Sequence, residues 1–445
     1  MKSIKFNLYG NTMKKIQPKP KFNWYWNRII SVGLLVCFIT ILTACDFEVT
    51  NPGPVQDEFL NEPGARQAIV NGIARDLSDA LNWVGFRSAA VTREIHPSGS
   101  TFSYGISPRA QVGLLPDDET DTYWDFSQRS RWTASHAIER LQETMEQEEF
   151  NSSELVAQAY LWQGYANRLL GENFCRAVID GGEPENYQAF LNHADEAFTN
   201  AISSAQAVGD PDIELAALAG RASVRRYLGD FPGAVADAEQ IPFEFVFEMP
   251  YNQVEQDQHN RIFESSADNP YRAHTVWQTY YEEYFEEFND PRTPWGFDPD
   301  RPVGDAAVGN LGNVPWYFQL KYDSPDDPIK LSSGREMVLI EAEAELSSGN
   351  WADAMTLINS LRNDVGVDEW VAANETEAWT YLKRERGIEL WLEARRLGDL
   401  RLWDENNTPG ELHPLEAQGG ELPLSSDRSL CFPIPESELD TNPNI

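Results

Sequence analysis

The sequence predicts a mainly α-helical protein, a scaffold of helical hairpins interrupted by a large, loop-rich and aromatic insertion. Three observations predict it. Apolar residues recur at helical spacing through the middle of the chain, two later segments repeat one pattern of glycine, aromatic and alanine, and the stretch from about 242 to 331 between them is dense in proline, aspartate and aromatic residues.

The helical pattern runs from Glu154 to Gly171 and again from Tyr187 to Val208. In the second segment Phe190, Ala194, Ala197, Phe198, Ala201, Ile202 and Ala205 fall three and four residues apart, which gathers them into one apolar stripe. The many alanines predict closely packed helix pairs. The two copies are "LGDFPGAVADAEQIP" from Leu228 and "SSGNWADAMTLINSL" from Ser347, each with a small residue seven positions before its glycine: Ala222 before Gly229, Ala342 before Gly349. The pattern resembles the tetratricopeptide unit, in which glycine ends the first helix and the aromatic and alanine seat the second against it. A looser third match runs from Gly164 through Gly171 to Ala177. The scaffold is therefore expected over about 130–241 and 333–403, with a loop-rich, ligand-binding subdomain at about 242–331. Proline at that density excludes long helices, and long ordered loops often carry function.

Bulk properties narrow the function. With 41% hydrophobic and 24% charged residues, the 445-residue chain has the composition of a globular protein. Its formal charge of −36 repels phosphate backbones, so nucleic-acid binding is not expected. The cations Lys2, Lys5, Lys14, Lys15, Lys19, Lys21 and Arg28 all lie at the start, before an apolar run from Ile29 to Ala44. That run is shorter than the roughly 20 residues a membrane-spanning helix needs and suits a signal-peptide core. Cys37 and Cys45 belong to this leader; Cys175 and Cys431 could pair or be two separate buried thiols.

Leu42-Thr43-Ala44-Cys45 resembles a bacterial lipobox, which implies cleavage before Cys45 and acylation there. The expected organisation is a signal peptide at 1–44, a lipid-anchored tether at 45–60 containing "DFEVTNPGP", and one domain at 61–445.

Two closing segments carry a family resemblance. "LKRERGIELWLEARRLGDLRLW" resembles the C-terminal signature of the SusD/RagB family: Arg386, Glu389, Leu390, Glu393, Arg396, Asp399, Leu400 and Trp403 match, Ala394 replaces the usual glycine, and Leu402 stands where arginine is common. "FPIPESELDTNPNI" is similar to the family's ending, "GREMVLIEAEAELSSGN" to its preceding repeat helix, and the lipobox followed by "NPGP" to its start. The resemblance implies a SusD-like outer-membrane lipoprotein facing the cell exterior, with a tetratricopeptide scaffold and a loop-built ligand face. It implies a hinged lid on a SusC-like, TonB-dependent β-barrel transporter, binding an oligosaccharide, a peptide or another polymer without catalysis.

Arg386, Glu389, Glu393 and Arg396 follow one another at spacings of three, four and three, which places them on one face of a continuous helix. Two carboxylates could be a glycosidase acid and base, but flanking arginines hold both ionised, whereas a general acid needs one raised pKa. Structural ion pairs between repeat helices are expected instead. His96, His136, His193, His259, His274 and His413 show no metal-ligand spacing, the acidic clusters at Asp117–Glu119 and Asp323–Asp327 do not follow a calcium loop, and no nucleophile elbow or phosphate loop occurs. No catalytic residue, metal or cofactor is expected. Sugar rings stack their C–H faces on flat aromatic rings, so Trp295, Trp316 and Tyr317 are the first ligand-binding candidates, with Trp83, Tyr123 and Trp124 second. Trp132 and Trp391 read as helix-face core. The rival readings are a lipid-anchored tetratricopeptide adaptor that assembles envelope proteins and, less favoured, a hydrolase.

Overall fold

A computed structural model describes residues 57–99, 104–268 and 270–445. The expected signal peptide, Cys45 and most of the tether lie outside these residues. Asp57–Ile445 forms one compact unit.

Eleven helices build its frame: α1 Arg66–Thr92, α2 Asp121–Thr144, α3 Glu154–Asn173, α4 Gln188–Val208, α5 Pro211–Leu228, α6 Phe231–Ala238, α7 Tyr280–Phe288, α8 Gly334–Ser347, α9 Trp351–Asp364, α10 Glu375–Glu389 and α11 Arg396–Glu405. From α1 to α6 each helix packs on the next, except that α1 packs on both α2 and α3; α8 then pairs with α9 and lies against α6 and α10. The mainly helical class read from the sequence is the observed one. Local signals set the boundaries. Asp210 caps α5 by accepting from the Asp212 and Ile213 N–H groups, Pro211 opens the helix, and Gly229 at φ +78° ends it. Asp230 then caps α6, accepting from the Gly233 N–H. Gly349 at φ +82° makes the same turn between α8 and α9, so both repeat copies fold as hairpins.

The third match folds differently. Gly171 lies inside α3 and makes no turn; a Cβ there would meet Leu191 at 2.5 Å, and one on Gly164 would meet Phe198 at 2.5 Å. Both glycines instead let α4 approach closely, and Gly220 of α5 opens the other side of the Phe198 ring.

Among the described residues eight short strands form four antiparallel two-stranded ribbons: β1 His96–Pro97 with β5 His274–Thr275, β2 Arg176–Ala177 with β3 Glu185–Asn186, β4 Val246–Met249 with β8 Ile329–Ser333, and β6 Trp295–Phe297 with β7 Tyr317–Gln319. Cys175, just past α3, is disulfide-bonded to Cys431 across 256 residues, and the Cys175 N–H donates to the Phe432 carbonyl at 2.9 Å. The C-terminal segment is thereby stapled to the end of α3.

The signature segment departs most from expectation. α10 stops at Glu389, Leu392 and Ala394 take left-handed φ of +60° and +61°, and Arg396 begins α11. Arg386, Glu389, Glu393 and Arg396 therefore do not share the face of one helix, and they do not pair with one another. Each is buried against a different element. Arg386 donates to Asp399 at 3.0 Å, Glu389 accepts from Arg335 at 2.8 Å and Arg292 at 2.9 Å, Glu393 accepts from Lys321 at 2.6 Å, and Arg396 donates to Glu416 at 2.6 Å. A left-handed residue where the family usually has glycine is the backbone reason for that preference.

Around these pairs lies a wider buried network. Arg226 of α5 donates to Glu343 of α8 at 3.0 Å and to Asp399 of α11 at 2.7 Å, and the Tyr227 hydroxyl donates to the same Asp399 oxygen at 3.1 Å. Arg395 reaches Glu336 at 2.8 Å and Glu172 of α3 at 3.1 Å. Burial pushes the Asp399 carboxyl up, but Arg386 and Arg226 more than reverse it and hold it well below the usual carboxylate range. In Glu389 burial is likewise outweighed by Arg335 and Arg292.

Glu94, at the end of α1, is the opposite case. Its carboxylate accepts from the Leu392 N–H at 2.7 Å and the Thr92 hydroxyl at 3.2 Å, while the Trp391 indole donates to its carbonyl at 3.2 Å. No cation touches it, and burial raises it to about 7.

Three outcomes follow in unfolding experiments. Asp399→Asn leaves two buried guanidiniums short of charge and is expected to lower stability by about 4 kcal/mol; Glu389→Gln does so by less, because Arg292 keeps Asp290 and Glu385. Equal losses in urea melts would contradict that partition. Reduction, or Cys175→Ser, is expected to lower stability by about 4 kcal/mol, and identical melts with and without reductant would show that the bond does not staple the fold. Because folding raises the Glu94 pKa from 4.5 to about 7, its contribution is complete below about 4.5 and is lost as pH rises through 7. Glu94→Gln should thus melt at a higher temperature than wild type at pH 8 and at the same temperature at pH 4.5; parallel curves at all pH values would rule this out.

Candidate functional site

α7 and the ribbon that follows it bring two of the expected aromatic residues, Trp295 and Tyr317, together at the surface. The Thr279 hydroxyl caps α7 by accepting from the Glu282 N–H, and Asn289 in a left-handed conformation ends it. Tyr280, Tyr281 and Tyr284 face the core, which turns Glu283, Glu286 and Glu287 outward. Pro291 and Pro294 stop further helix, and the chain turns into β6. In the ribbon Phe297 pairs with Tyr317, Gly296 with Phe318 and Trp295 with Gln319. Alternate residues of a strand point to opposite faces, so Trp295, Phe297 and Tyr317 share one face and Gly296 and Phe318 the other. Gly296 is required there: a Cβ would lie 2.5 Å from the Phe318 ring.

The three rings form a stepped platform. Trp295 stacks on Tyr317 with centroids 4.8 Å apart and planes at 19°, and Phe297 meets Tyr317 edge-on at 5.7 Å. Phe297 is 48% exposed, and Trp295 and Tyr317 are half-buried. Phe285 of α7 packs edge-on against Trp295, whose indole N–H donates to the Glu282 carbonyl at 3.4 Å. Carboxylates border the platform. Burial raises the Glu282 side chain to about 7, and Glu286 and Glu283 add to the effect. Burial, then Glu282 and Glu286, likewise raise the Tyr317 hydroxyl.

The other aromatic candidates are placed elsewhere. Trp316 is 1% exposed, with its indole N–H donating to the His274 carbonyl at 3.1 Å and its ring against Phe318. As the residue before Tyr317 it faces the opposite side of β7, so it belongs to the subdomain core and not to the platform. Trp83, Tyr123 and Trp124 form a separate internal joint. Arg261 lies 3.5 Å over the Trp83 ring, Phe126 stacks beside it, Tyr123 is buried between Trp83 and Phe432, and Trp124 is buried edge-on to Phe174 with its N–H on Glu438. These rings tie α1 and α2 to the C-terminal segment. Trp391 is fully buried, as read from the sequence, but it lies in the break between α10 and α11 and not on a helix face, and Trp132 is 49% exposed and is not core. The signal was present: Ala134, Ala137, Ile138 and Leu141 define the buried face of α2, and Trp132 lies about 200° around the helix from Ala134.

The acidic clusters are occupied by internal partners. Arg109 pairs with Asp118 and Glu119 at 2.8 Å, Glu119 also accepts from Arg87, and Asp327 accepts the N–H groups of Asp323 and Ser324. Among the described residues no group of three histidine, cysteine or acidic side chains is placed to hold a metal ion. A cavity of about 450 Å³ adjoins the ribbon at Pro294 and Leu320, but the Arg292 and Lys321 side chains on its wall are committed to Asp290, Glu385, Glu389 and Glu393.

Comparison with known proteins agrees with this architecture. The sequence profile of the SusD family matches residues 335–445. A SusD-like protein from Bacteroides fragilis superposes with a TM-score of 0.64 at 14% identity, covering 88% of this chain and 97% of its own. A SusD superfamily protein from Bacteroides vulgatus gives 0.60 at 16% identity, covering 86% and 98%. A protein from the same organism described as SusD-like and carbohydrate-binding gives 0.59 at 13% identity, covering 86% and 97%. No curated protein matches the chain in sequence. The SusD family's profile thus matches the last helices, and the fold over the rest of the described residues is similar to that of SusD-like proteins.

Proposed function

We propose that the protein captures a carbohydrate nutrient at the cell surface and delivers it, chemically unchanged, to a SusC-like, TonB-dependent outer-membrane transporter. The observation that carries the reading is the open platform of Trp295, Tyr317 and Phe297 beside the carboxylates of α7. Flat rings meet the C–H faces of a sugar, and carboxylate oxygens accept from its hydroxyls. The rings are held by a ribbon packed on a rigid helical frame, so little ordering is needed on binding. The binding of carbohydrate described for a protein of the same fold supports the choice of ligand class. Among the described residues no helix is long and apolar enough to cross a membrane. Residues 1–44 as signal peptide and an acylated Cys45 would supply the attachment, with the tether leading into the domain at about residue 60. A lid that moves as one body on its transporter suits a frame locked by buried ion pairs.

Isothermal calorimetry against neutral oligosaccharides tests the site. Trp295→Ala and Tyr317→Ala are each expected to weaken binding about tenfold, which corresponds to about 1.4 kcal/mol. Trp316→Ala should instead lower the melting temperature. Wild-type affinity in both platform variants would remove the ligand from this face.

A further inference from the structure

The exposed Trp132 lies in a groove that shares no residue with the ribbon platform. His136, one turn further along α2, stacks on one side of the indole with centroids 3.9 Å apart and planes at 27°. Asp125, Arg129 and Trp132 are exposed at spacings of four and three, so they line one stripe of the helix. The facing wall is the turn at Val178–Gly181 and Glu438 of the short helix Glu436–Thr441, which border an open groove of about 460 Å³. That volume lies in the range of small-ligand sites, roughly 300–1,000 Å³.

The walls are fixed without any ligand. The Gln128 amide donates to the Val178 carbonyl at 2.9 Å, and Arg131 donates to Gln128 at 3.0 Å and to Asp180 at 2.6 Å. Asn442 and Asn444 donate to the Gly182 and Gly181 carbonyls at 3.1 and 2.7 Å, holding the C-terminus against the turn. The Cys175–Cys431 bond ties the same two segments. Asp125 is the exception. Among the described residues no donor reaches its carboxylate, and Arg129, the nearest cation on its stripe, is paired with Asp76 and Asp79. Burial, then Asp121, raises its pKa, and Arg129 opposes the shift.

We propose that this groove is a second carbohydrate subsite, in which a neutral pyranose ring stacks on the open face of Trp132 and its hydroxyls donate to Asp125 and Asp180. The choice of a sugar rests on the carbohydrate-binding reading above. The chemistry of the groove agrees with it: one flat ring and two carboxylates that accept. The guanidiniums on its wall are already paired, Arg131 with Asp180 and Arg129 with Asp76 and Asp79, so the carboxylates of Asp125 and Glu438 disfavour an anionic polymer. The groove lacks the strand edge or deep apolar pocket by which a peptide is usually held.

Affinity electrophoresis of the purified protein through gels containing neutral xylans, mannans or glucans, paired with calorimetry on short oligosaccharides of the retarding polymer, tests the proposal. Trp132→Ala and Asp125→Asn are expected to weaken retardation about fivefold, with Trp132→Tyr keeping most of it and melting temperatures unchanged. Trp295→Ala should weaken the short-oligosaccharide binding that Trp132→Ala leaves in place. Wild-type retardation of both groove variants, with loss in Trp295→Ala, overturns the second subsite and leaves the ribbon site standing. No retardation of the wild-type protein by any polymer overturns both. Protection of Trp132 from acrylamide quenching by peptides and not by glycans also overturns the groove as a sugar site.

Discussion

Arg226 and its two carboxylates, Glu343 and Asp399, are the contact on which the rest of the fold depends. The helical hairpin of α5 and α6 and that of α8 and α9 are separated by the whole aromatic insertion, and nothing in the chain's local preferences brings them together. A guanidinium buried from water is tolerated only where oppositely charged oxygens meet it with good geometry. Arg226 meets that condition in one arrangement, with α8 and α11 both against α5. Arg386 completes the charge on Asp399, and Arg395 extends the network to α3 and α8. The network need not add net stability over an apolar core; it specifies which helices meet.

Fixing that frame fixes the insertion. Arg292, at the start of the loop after α7, is drawn into the same buried charge system through Asp290, Glu385 and Glu389. Three residues later, at Trp295, the chain enters the ribbon. The aromatic platform is thus anchored to the scaffold by an ion cluster at its root, while its rings remain at the surface. Position in the pleat then separates neighbours of the same chemical type: Tyr317 looks out and Trp316, beside it, looks in.

The acidity of the chain is a surface property and the buried chemistry is different in kind. Inside, many carboxylates and guanidiniums are matched against one another, while Glu94 is held by hydrogen bonds and Arg93 donates to the Gln111 and Leu422 carbonyls. Outside, Glu283, Glu286 and Glu287 lie near one another on α7 beside the platform. A ligand approaching there meets a field that favours neutral or cationic groups over polyanions.

The sequence by itself determined the local structure. The stripe of α4, the glycine turns at Gly229 and Gly349 and the helix-breaking prolines of the insertion all follow from spacing and backbone preference, which act over a few residues. The family signature was legible as well, and it marked residues that prove to be buried ion-pair partners. Tertiary structure alone decided the break between α10 and α11, where the charged and apolar spacing reads as one helix but Leu392 and Ala394 turn left-handed. There Glu94 takes the Leu392 N–H and Tyr322 donates to the Leu392 carbonyl, 70 residues away in sequence. It also decided that Gly171 serves a close approach and not a turn, that Cys175 meets Cys431, and that among the tryptophans Trp132 and Trp295 reach solvent while Trp316 does not. A tryptophan's preference for burial is the same at every position; which of its faces is covered depends on residues far along the chain, and only the assembled fold supplies them.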